Sequence, residues 1–198
     1  LLPFATISAS FPKLVRDLCR DQGKEADLVI QGEEVAIDKR ILEEMKDPLV
    51  HLLRNSVDHG IESPGDRTRL GKPPRAAITL IVSRLDGNMV QLSLSDDGAG
   101  IDIARVKESA LRHGLLSADE SAQLSDSAAQ AIIFLSKMST SPTVTQVSGR
   151  GLGLPIVREK VEKLGGEVSV ESSVGRGTTF RMVIPATRAT FRGIIVVA

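Results

Sequence analysis

The feature that most restricts the fold is a pair of alternating segments near the middle of the chain. Apolar residues occupy every second position in 78–82 and again in 90–94, and Asp86-Gly87-Asn88 lies between the two runs. This spacing is typical of two antiparallel strands joined by a tight turn, with one face of each strand buried. The sequence therefore predicts a β-hairpin here.

A two-faced helical segment precedes the hairpin, from Asp47 to Gly60. Its apolar residues recur at helical spacing, at Leu49, Leu52, Leu53 and Val57. Another face gathers polar residues at His51, Asn55, Asp58 and His59. Amide, carboxylate and imidazole groups can meet a metal or a phosphate, so this polar stripe is either a binding site or a hydrogen-bonded structural face.

The ends of this helix carry residues with special backbone preferences. Asp47 can cap it, and Pro48 suits a first helical position, so a helix starts or kinks there. Gly60 can supply a left-handed residue that ends it. Residues 38–46 also have a helical pattern and lead into this segment.

The remaining segments add elements on both sides of the hairpin. Ser10 and Gly23 bracket an amphipathic helix, and the apolar runs 28–30 and 35–37 suggest a small second hairpin. Residues 61–75 are punctuated by Gly and Pro, which indicates a loop. Further helices are predicted around 106–112, 118–124, 128–135 and 154–164, and further strands around 168–170 and 180–184.

Composition narrows the class of protein. The 198 residues carry 25 basic and 25 acidic side chains, and this zero net charge gives no support to a nucleic-acid or anionic-membrane partner. The single cysteine, Cys19, falls on an apolar helical face and excludes an internal disulfide, which fits a reducing compartment. No apolar run approaches membrane-spanning length, so we expect a cytoplasmic protein. Because the chain begins at Leu1 and stops within the apolar run 193–198, we interpret it as one main domain of a longer protein.

A carboxylate and two glycines directly follow the second strand of the hairpin, in the motif Asp96-x-Gly98-x-Gly100. The carboxylate can accept a hydrogen bond from an exocyclic amine, while the glycines keep the wall thin enough for a flat base. The alternative is a tight turn with an Asp cap.

Two further glycine motifs lie later in the chain. Gly149-x-Gly151-x-Gly153 opens a helix, where unpaired amides and the positive helix end favour a phosphate, although such a loop alone is a weak indication. Gly175-x-Gly177-Thr178 lies between two strands and by itself favours a plain hairpin turn with left-handed glycines.

In this order, the motifs resemble the four nucleotide-binding boxes of the histidine-kinase, gyrase, heat-shock-chaperone and mismatch-repair ATPase superfamily. The boxes correspond to Asn55 and to residues 96–100, 149–153 and 175–180. Four segments are similar in sequence to the corresponding segments of chemotaxis sensor histidine kinases of the CheA type: 51–55, 58–62, 71–74 and 147–151. The resemblance covers nearly the whole chain and implies an α/β two-layer sandwich, in which a mixed, mostly antiparallel sheet is covered on one face by helices.

The resemblance also implies roles for individual residues. Asn55 is expected to hold Mg²⁺ between the phosphates of ATP, and Asp96 to bind the adenine amine. The expected catalytic residues are His51, Arg54 and Asn55. Further ATP contacts are expected from Asp58, His59, Gly98, Gly100, Ser148, Gly149, Arg150, Gly151, Leu152, Gly153 and Thr178. Magnesium suits this set because it prefers oxygen ligands and shares them with phosphate and water.

Two segments depart from the family's pattern. The mobile lid over the phosphates is expected at 136–148, and it lacks the aromatic residue that usually anchors it. Its first residues read Ser136-Lys137-Met138-Ser139-Thr140-Ser141-Pro142, where the family usually has Pro-Gly-Phe-Ser-Thr. Pro155 stands where an acidic residue is usual, and it is tolerable in the first turn of a helix.

The implied function is transfer of the ATP γ-phosphoryl group to a histidine on a separate phosphotransfer domain, carried out by a catalytic domain spanning 23–186. Residues 1–22 are expected to be a linker and helix that follow a dimerisation domain, and residues 187–198 the start of a coupling-protein-like regulatory domain. Two alternatives remain: a nucleotide-sensing module that binds ATP or ADP without transfer, and a conformational ATPase of the gyrase or chaperone kind.

The implied partners follow from the same resemblance. They are the phosphotransfer domain of the same or the partner subunit, downstream response regulators, and a coupling protein and chemoreceptors reached through other domains. No nucleic acid and no membrane insertion are expected. The intact protein is expected to be a homodimer and this piece a monomer.

Overall fold

The structure is a computed structural model that describes residues 1–134 and 153–187. The strands in these ranges are β1 (Leu2–Pro3), β2 (Ala26–Gln31), β3 (Ala36–Ile37), β4 (Ala76–Leu85), β5 (Met89–Asp96), β6 (Glu167–Ser173) and β7 (Gly177–Pro185). The helices are α1 (Ala5–Ser8), α2 (Phe11–Asp21), α3 (Lys39–Asn55), α4 (Pro64–Arg69), α5 (Ile103–Arg112), α6 (Ala118–Gln123), α7 (Asp126–Ala131) and α8 (Gly153–Lys163). A π-helical turn (Ser56–Gly60) continues α3, and a 3₁₀ turn (Ile132–Phe134) continues α7.

Five of the strands form one mixed sheet in the order β2-β4-β5-β7-β6. Strand β2 is parallel to β4, whereas the other neighbouring pairs are antiparallel. Strands β1 and β3 pair with each other in a separate small sheet. The predicted mixed, mostly antiparallel sheet is confirmed.

One face of the sheet is apolar and lies under the helices. Side chains on β4, β5 and β7 alternate between buried and more exposed positions, as a strand with one covered face requires. Leu80, Leu92 and Met182 represent the buried set, and they join a core that includes Leu52 of α3 and Val157 of α8. The fold is therefore a two-layer sandwich with the core between sheet and helices.

The central hairpin forms as its alternation predicts. Strands β4 and β5 pair antiparallel up to Leu85 and Met89, and the turn between them contains Gly87 and Asn88 in left-handed conformation. Asp96 is the last residue of β5 and lies opposite Thr178 of β7. The hairpin thus delivers the carboxylate of the first glycine motif to the end of a central strand.

The small second hairpin predicted from runs 28–30 and 35–37 is wrong. The first run belongs to β2, which pairs with β4 at the edge of the main sheet. The second belongs to β3, which pairs with Leu2 and Pro3. Residues 1–10 therefore contain structure that their lack of a period did not indicate, including a fully buried Phe4.

Helix α3 is one continuous helix that includes nearly all of the predicted helical segment 38–46 and does not start at Pro48. It starts at Lys39, with Asp38 as the N-cap whose carboxylate accepts from the backbone N–H of Arg40 at 2.8 Å. The helix then continues through Pro48, so Asp47 does not cap it. An internal proline costs about 3 kcal/mol. Burial of Leu49, Leu52 and neighbouring side chains against the core offsets that cost.

The segment 61–75 is not a plain loop, because it contains α4. Ser63 caps this helix by accepting from the N–H of Asp66 at 3.2 Å, and Pro64 occupies its first turn. The other predicted helices and strands are present within the described residues, and Cys19 is buried in the core. Pro155 lies in the first turn of α8, as expected.

Several predictions concern residues outside those that the structure describes. These are the lid at 136–148, the glycine motif up to Leu152, and the segment 188–198. Among the described residues, no helix has both the length and the apolar character needed to cross a membrane.

Candidate functional site

The centre of the site is the carboxylate of Asp96, at the end of β5. Its side chain is almost fully buried, with the residue 8% exposed. One oxygen accepts from the Ser56 hydroxyl at 3.0 Å, and the other accepts from the backbone N–H of Gly98 at 3.1 Å. The backbone N–H of Thr178 also donates to this carboxyl group. These donors fix the orientation of a buried acceptor.

Burial raises the pKa of the Asp96 carboxyl above its ordinary value. The hydrogen bonds from Gly98, Ser56 and Thr178 favour the ionised form and partly oppose this effect, while the neighbouring Asp97 adds to it. The carboxylate is therefore a strong acceptor in a poorly solvated position. Such a group gains most from a ligand that brings its own donor.

The glycines around Asp96 are required by close backbone approach. A Cβ atom on Gly98 would overlap the carbonyl oxygen of Gly60, and a Cβ on Gly177 would overlap the carbonyl oxygen of Asp96. Gly177 also has a φ of 100°, which favours glycine. Three segments of the chain can therefore meet at this strand end.

Gly60 does not have the left-handed conformation predicted for it. A Cβ atom at Gly60 would lie 3.2 Å from an Asp96 carboxylate oxygen. The Gly60 carbonyl accepts from the N–H of Ala99 at 2.7 Å. Its role is to let the helix end pack against the Asp96 turn, instead of reversing the chain.

Gly100 and Thr178 connect the same turn to the last hairpin. Gly100 is left-handed and packs tightly on the backbone of Ser173. Thr178 is buried, and its hydroxyl oxygen lies 3.0 Å from the hydroxyl oxygen of Ser172. The Ser172 hydroxyl in turn accepts from the N–H of Ile101 at 2.8 Å. The turn between β6 and β7 is thus part of the Asp96 site as well as a hairpin turn with left-handed glycines.

The π-helical turn after α3 links the polar stripe to Asp96. The N–H of Ile61 donates to the carbonyl of Ser56, five residues earlier, at 2.7 Å, whereas an α-helical bond spans four residues. Ser56 and Val57 are buried by this turn, and Ser56 thereby reaches Asp96. Turns of this kind are frequent at functional sites. The sequence stripe did not identify Ser56, because an ideal α-helical projection does not hold through these residues.

The side chains of His51, Arg54 and Asn55 lie at the end of α3 and are all partly exposed. Within the described residues, no side-chain hydrogen bond or ion pair engages any of the three. Burial lowers the pKa of His51, and the positive charge of Arg54 lowers it further. The stripe therefore offers an imidazole with a lowered pKa, a guanidinium and an amide, none of which is engaged by another side chain of the described ranges.

Asp58 and His59 are placed differently by the π-helical turn. A carboxylate oxygen of Asp58 accepts from the side-chain amide of Gln22 at 2.6 Å. The ammonium of Lys24 donates to the carbonyls of Val57 at 2.6 Å and Asp58 at 3.1 Å. His59 is exposed. The segment after α2 therefore supports this part of the site, which sequence patterns did not predict.

An ionic cluster, largely buried except at Asp97, lies directly behind the Asp96 turn. Its members are Glu62, Arg67, Lys72 and Asp97. The Arg67 side chain is fully buried and bonds to Asp97 at 2.7 Å. Glu62 and Lys72 belong to segments 58–62 and 71–74, which carry the resemblance, but neither was predicted as a site residue. The range 61–75, which supplies Glu62, Arg67 and Lys72, was interpreted as a loop.

The remaining predicted site residues belong to the third glycine motif. Ser148, Gly149, Arg150, Gly151 and Leu152 lie outside the described residues, and Gly153 is the first residue of α8. Among the described residues, no group of three or more His, Cys, Asp or Glu side chains is arranged to hold a metal by itself. A metal at Asn55 would have to take other ligands from elsewhere.

Comparison with known proteins assigns the chain to an ATPase family. Residues 44–188 match the family described as histidine kinase-, DNA gyrase B-, and HSP90-like ATPase, and the chain belongs to that family. Within it, the chain is similar to chemotaxis proteins. It is 44% identical over 196 residues to the chemotaxis protein CheA of Halobacterium salinarum, covering 99% of this chain and 29% of that protein.

A second relative is the gliding motility regulatory protein of Myxococcus xanthus, also 44% identical over 196 residues. That alignment covers 99% of this chain and 25% of the relative, so the chain spans about a quarter of the length of the proteins it matches. The resemblance to CheA-type proteins is confirmed over nearly the whole chain.

Solved structures agree on the fold. The histidine kinase domain of the blue-light activated histidine kinase from Erythrobacter litoralis superposes with a TM-score of 0.53 at 17% identity. The superposition covers 94% of this chain and 66% of that one. The predicted histidine-kinase-like fold is therefore confirmed.

Proposed function

We propose that this chain is the ATP-binding kinase domain of a chemotaxis-type sensor histidine kinase, which transfers the γ-phosphoryl group of ATP to a histidine on a separate phosphotransfer domain. The observation that carries this proposal is the buried, oriented carboxylate of Asp96 close to the end of α3, where His51, Arg54 and Asn55 have no side-chain partner within the described residues. A base-binding acceptor and a phosphate-facing stripe are the two halves of a nucleotide site.

Asp96 is proposed to select adenine. Adenine carries an exocyclic amine where guanine carries a carbonyl oxygen. A carboxylate oxygen can accept from that amine and would repel the guanine oxygen. Gly98, Gly100 and Thr178 are proposed to form the wall of the base pocket. The two glycines shape that wall by letting the turn pack directly on the backbone of Gly60 and Ser173.

The end of α3 is proposed to face the triphosphate. Arg54 and His59 supply donors, and Asn55 supplies an amide oxygen that fits Mg²⁺ together with phosphate and water ligands. When bound, the ion would neutralise phosphate charge. Asp58 completes this face, and residues 148–153 are proposed to contact the phosphates as well.

The transfer itself needs positioning more than covalent help from the protein. A ring nitrogen of the acceptor histidine attacks the γ-phosphorus. The bond between the γ-phosphorus and the oxygen that bridges the β- and γ-phosphates breaks, and ADP leaves with the electron pair of that bond. The acceptor imidazole loses its N–H proton in the process. His51, which is held neutral, is proposed to hold or accept a proton near the reacting phosphate, and Arg54 to stabilise the developing charge.

The wider organisation is also a proposal. The catalytic domain would span 23–186, with residues 1–22 following a dimerisation domain and residues 187–198 starting a coupling-protein-like domain. The length of the relatives supports further domains in the whole protein. Its partners would then be the phosphotransfer domain, response regulators, a coupling protein and chemoreceptors, and the intact protein would act as a homodimer in the cytoplasm.

The direct test mixes γ-labelled ATP and magnesium with this chain and a separately produced phosphotransfer domain. Acid-labile phosphohistidine on that domain is the expected product. Nucleotide binding without transfer would instead favour a sensing module. Release of inorganic phosphate alone would favour a conformational ATPase and contradict the kinase proposal.

The base site is tested by Asp96→Asn. A hydrogen bond to a charged group contributes roughly 1.5–3 kcal/mol, so affinities for ATP and ADP should both fall about tenfold to a hundredfold. Calorimetry measures both affinities. Asp86→Asn, in the exposed turn at the other end of the same hairpin, is the matched control and should bind normally. Unchanged ADP affinity in Asp96→Asn would place the adenine elsewhere.

A further inference from the structure

The ionic cluster behind the Asp96 turn has a geometry that suits a specific task. We propose that Lys72 and Arg67 are positioning residues for base recognition. They act on the Asp96 carboxylate through the peptide group between Asp97 and Gly98, without touching the nucleotide. This inference rests on the proposed function, because it assumes that Asp96 binds the base.

Lys72 is placed to hold the turn from behind. Its ammonium donates to the backbone carbonyls of Asp97 at 2.9 Å and Gly98 at 2.7 Å. Its third bond is to a carboxylate oxygen of Glu62 at 2.7 Å. The Lys72 side chain is only 16% exposed, so water competes weakly for these bonds. All three of its donors are thus committed, two of them to the turn.

Arg67 reinforces the same carbonyl from a fully buried position. Its guanidinium donates to the Asp97 carbonyl at 3.3 Å, to the Asp97 carboxylate at 2.7 Å and to the Pro73 carbonyl at 2.7 Å. It also pairs with Glu62 at 3.0 Å. The two cations and two carboxylates balance in charge, which is what lets an arginine be buried here.

The peptide between Asp97 and Gly98 joins this cluster to the site. Its carbonyl accepts from both cations, and its N–H is the donor that binds Asp96 at 3.1 Å. A peptide whose carbonyl is bonded to cations is a stronger donor at its N–H, because hydrogen bonds in a chain polarise one another. The cluster therefore both fixes that N–H in place and strengthens its bond to the base-binding carboxylate.

The adjacent carboxylates are kept apart by the same arrangement. Asp97 points to Arg67 and also accepts from the N–H of Ala77 at 3.0 Å, so it is held on β4. Without Arg67, the charge of Asp97 would act more strongly on the neighbouring Asp96. Pairing Asp97 on the far side leaves Asp96 as the carboxylate directed at the base.

The test is a double-mutant cycle on ADP affinity. Lys72→Met keeps the side-chain stem and removes the donors, and it should weaken ADP binding about twofold to tenfold, the effect of one typical hydrogen bond. In the Asp96→Asn background the same substitution should have little further effect. Lys72→Arg should restore most of the affinity. Lys39→Met, on the exposed surface of α3, is the matched control and should leave the affinity unchanged.

Inorganic tripolyphosphate separates positioning from a general structural role, because it has no base. Its affinity should be the same in Lys72→Met and in the unmodified protein, while ADP affinity falls. Thermal unfolding measured on each variant checks that it is folded. If Lys72→Met does not fold, Lys72→Gln, which keeps a donor without the charge, carries the same comparison and should show a smaller loss for ADP alone.

Two results would overturn the inference while leaving the proposed function intact. One is normal ADP affinity in Lys72→Met when Asp96→Asn binds weakly. The other is an equal loss from Lys72→Met in both backgrounds, which would show that it acts independently of Asp96. Normal ADP affinity in Asp96→Asn would instead contradict the proposed base site itself.

Discussion

At the scale of single residues, two consecutive carboxylates carry out opposite tasks. Asp96 is buried and accepts from neutral donors, among them the Ser56 hydroxyl and the Gly98 N–H. Asp97 is paired with Arg67 and with the N–H of Ala77. The difference arises because alternate residues at a strand end point to opposite sides of the sheet. Asp96 is thus the carboxylate that we propose for base recognition, while Asp97 holds the turn.

The raised pKa of Asp96 predicts a pH dependence of stability. A carboxyl whose pKa is higher in the folded state binds more protons folded than unfolded, so its effect on stability is most favourable below the ordinary Asp pKa of 3.8 and is lost as pH rises through the folded value. Asparagine cannot ionise. The stability of Asp96→Asn relative to the unmodified protein should therefore increase as the pH rises above the ordinary Asp pKa of 3.8.

Chemical denaturation of both proteins across that range measures this difference. The substitution removes only the Asp96 carboxyl, so the difference between the two proteins reports on that group. A relative stability that decreases with rising pH would mean that the hydrogen bonds to Asp96 outweigh its burial.

Asn55 provides a second prediction at this scale. Asn55→Ala should remove the magnesium dependence of nucleotide binding and most of the phosphotransfer, and it should leave the fold intact. The reason is that the amide has no hydrogen-bond partner within the described residues, while the neighbouring Leu52 and Leu53 form the core. Titrations of ATP with and without magnesium, followed by thermal unfolding, make the measurement. An unfolded variant, or one with normal transfer, would mark Asn55 as structural.

At the scale of elements, the site is built where a helix end, a strand end and a hairpin turn meet. Helix α3 supplies the polar stripe, its π-helical turn supplies Ser56, and β5 supplies Asp96. The turn between β6 and β7 closes the far side, with the N–H of Gly175 donating to the carbonyl of Ala99 at 2.7 Å. Glycines are needed at these junctions because backbone packs directly on backbone.

That packing predicts a contrast between two glycines with ordinary backbone conformation. Gly98→Ala should destabilise the protein by about 1–3 kcal/mol, because the added methyl overlaps the Gly60 carbonyl. Gly65→Ala, in α4, should be neutral or stabilising by up to about 1 kcal/mol, because nothing lies near the new methyl. Urea denaturation of both variants measures the difference. Equal effects would show that the backbone at Gly60 can move aside for the added methyl group without a cost in stability.

At the scale of the whole molecule, stability should be concentrated in the middle of the sheet. Strands β4, β5 and β7 each have neighbours on both sides, while β2 and β6 lie at the edges. The central strands also carry most of the fully buried sheet side chains. Their amides can open only when much of the core opens, so they should exchange slowest.

Amide hydrogen exchange followed by mass spectrometry tests this order. Peptides from β5 should exchange more slowly than those from β2, β6 and the exposed helix α6. ADP should add protection at the end of β5 and in the π-helical turn, with a smaller effect at the distant β4–β5 turn. Faster exchange in β5 than in β6 would contradict the proposed distribution of stability.

Local patterns in the sequence determined much of this architecture. The alternation in 78–82 and 90–94 produced the hairpin, because side-chain period and turn residues act within a few positions of each other. Helical stripes likewise identified α2, the second half of α3 and α8. The order and the sequences of the motifs indicated the family. They also identified Asp96 as a candidate hydrogen-bond acceptor at the end of a strand.

Only the tertiary structure decided which distant groups support that chemistry. Ser56 and Asp96 are 40 positions apart, and Arg67 and Asp97 are 30 apart, so no local period reports their contact. The pairing of β2 with β4 was misjudged for the same reason: an edge strand chooses its neighbour by burial across the sheet. Arg67 can be fully buried only because carboxylates from separate segments neutralise it. That compensation exists in the folded chain and leaves no pattern in the sequence.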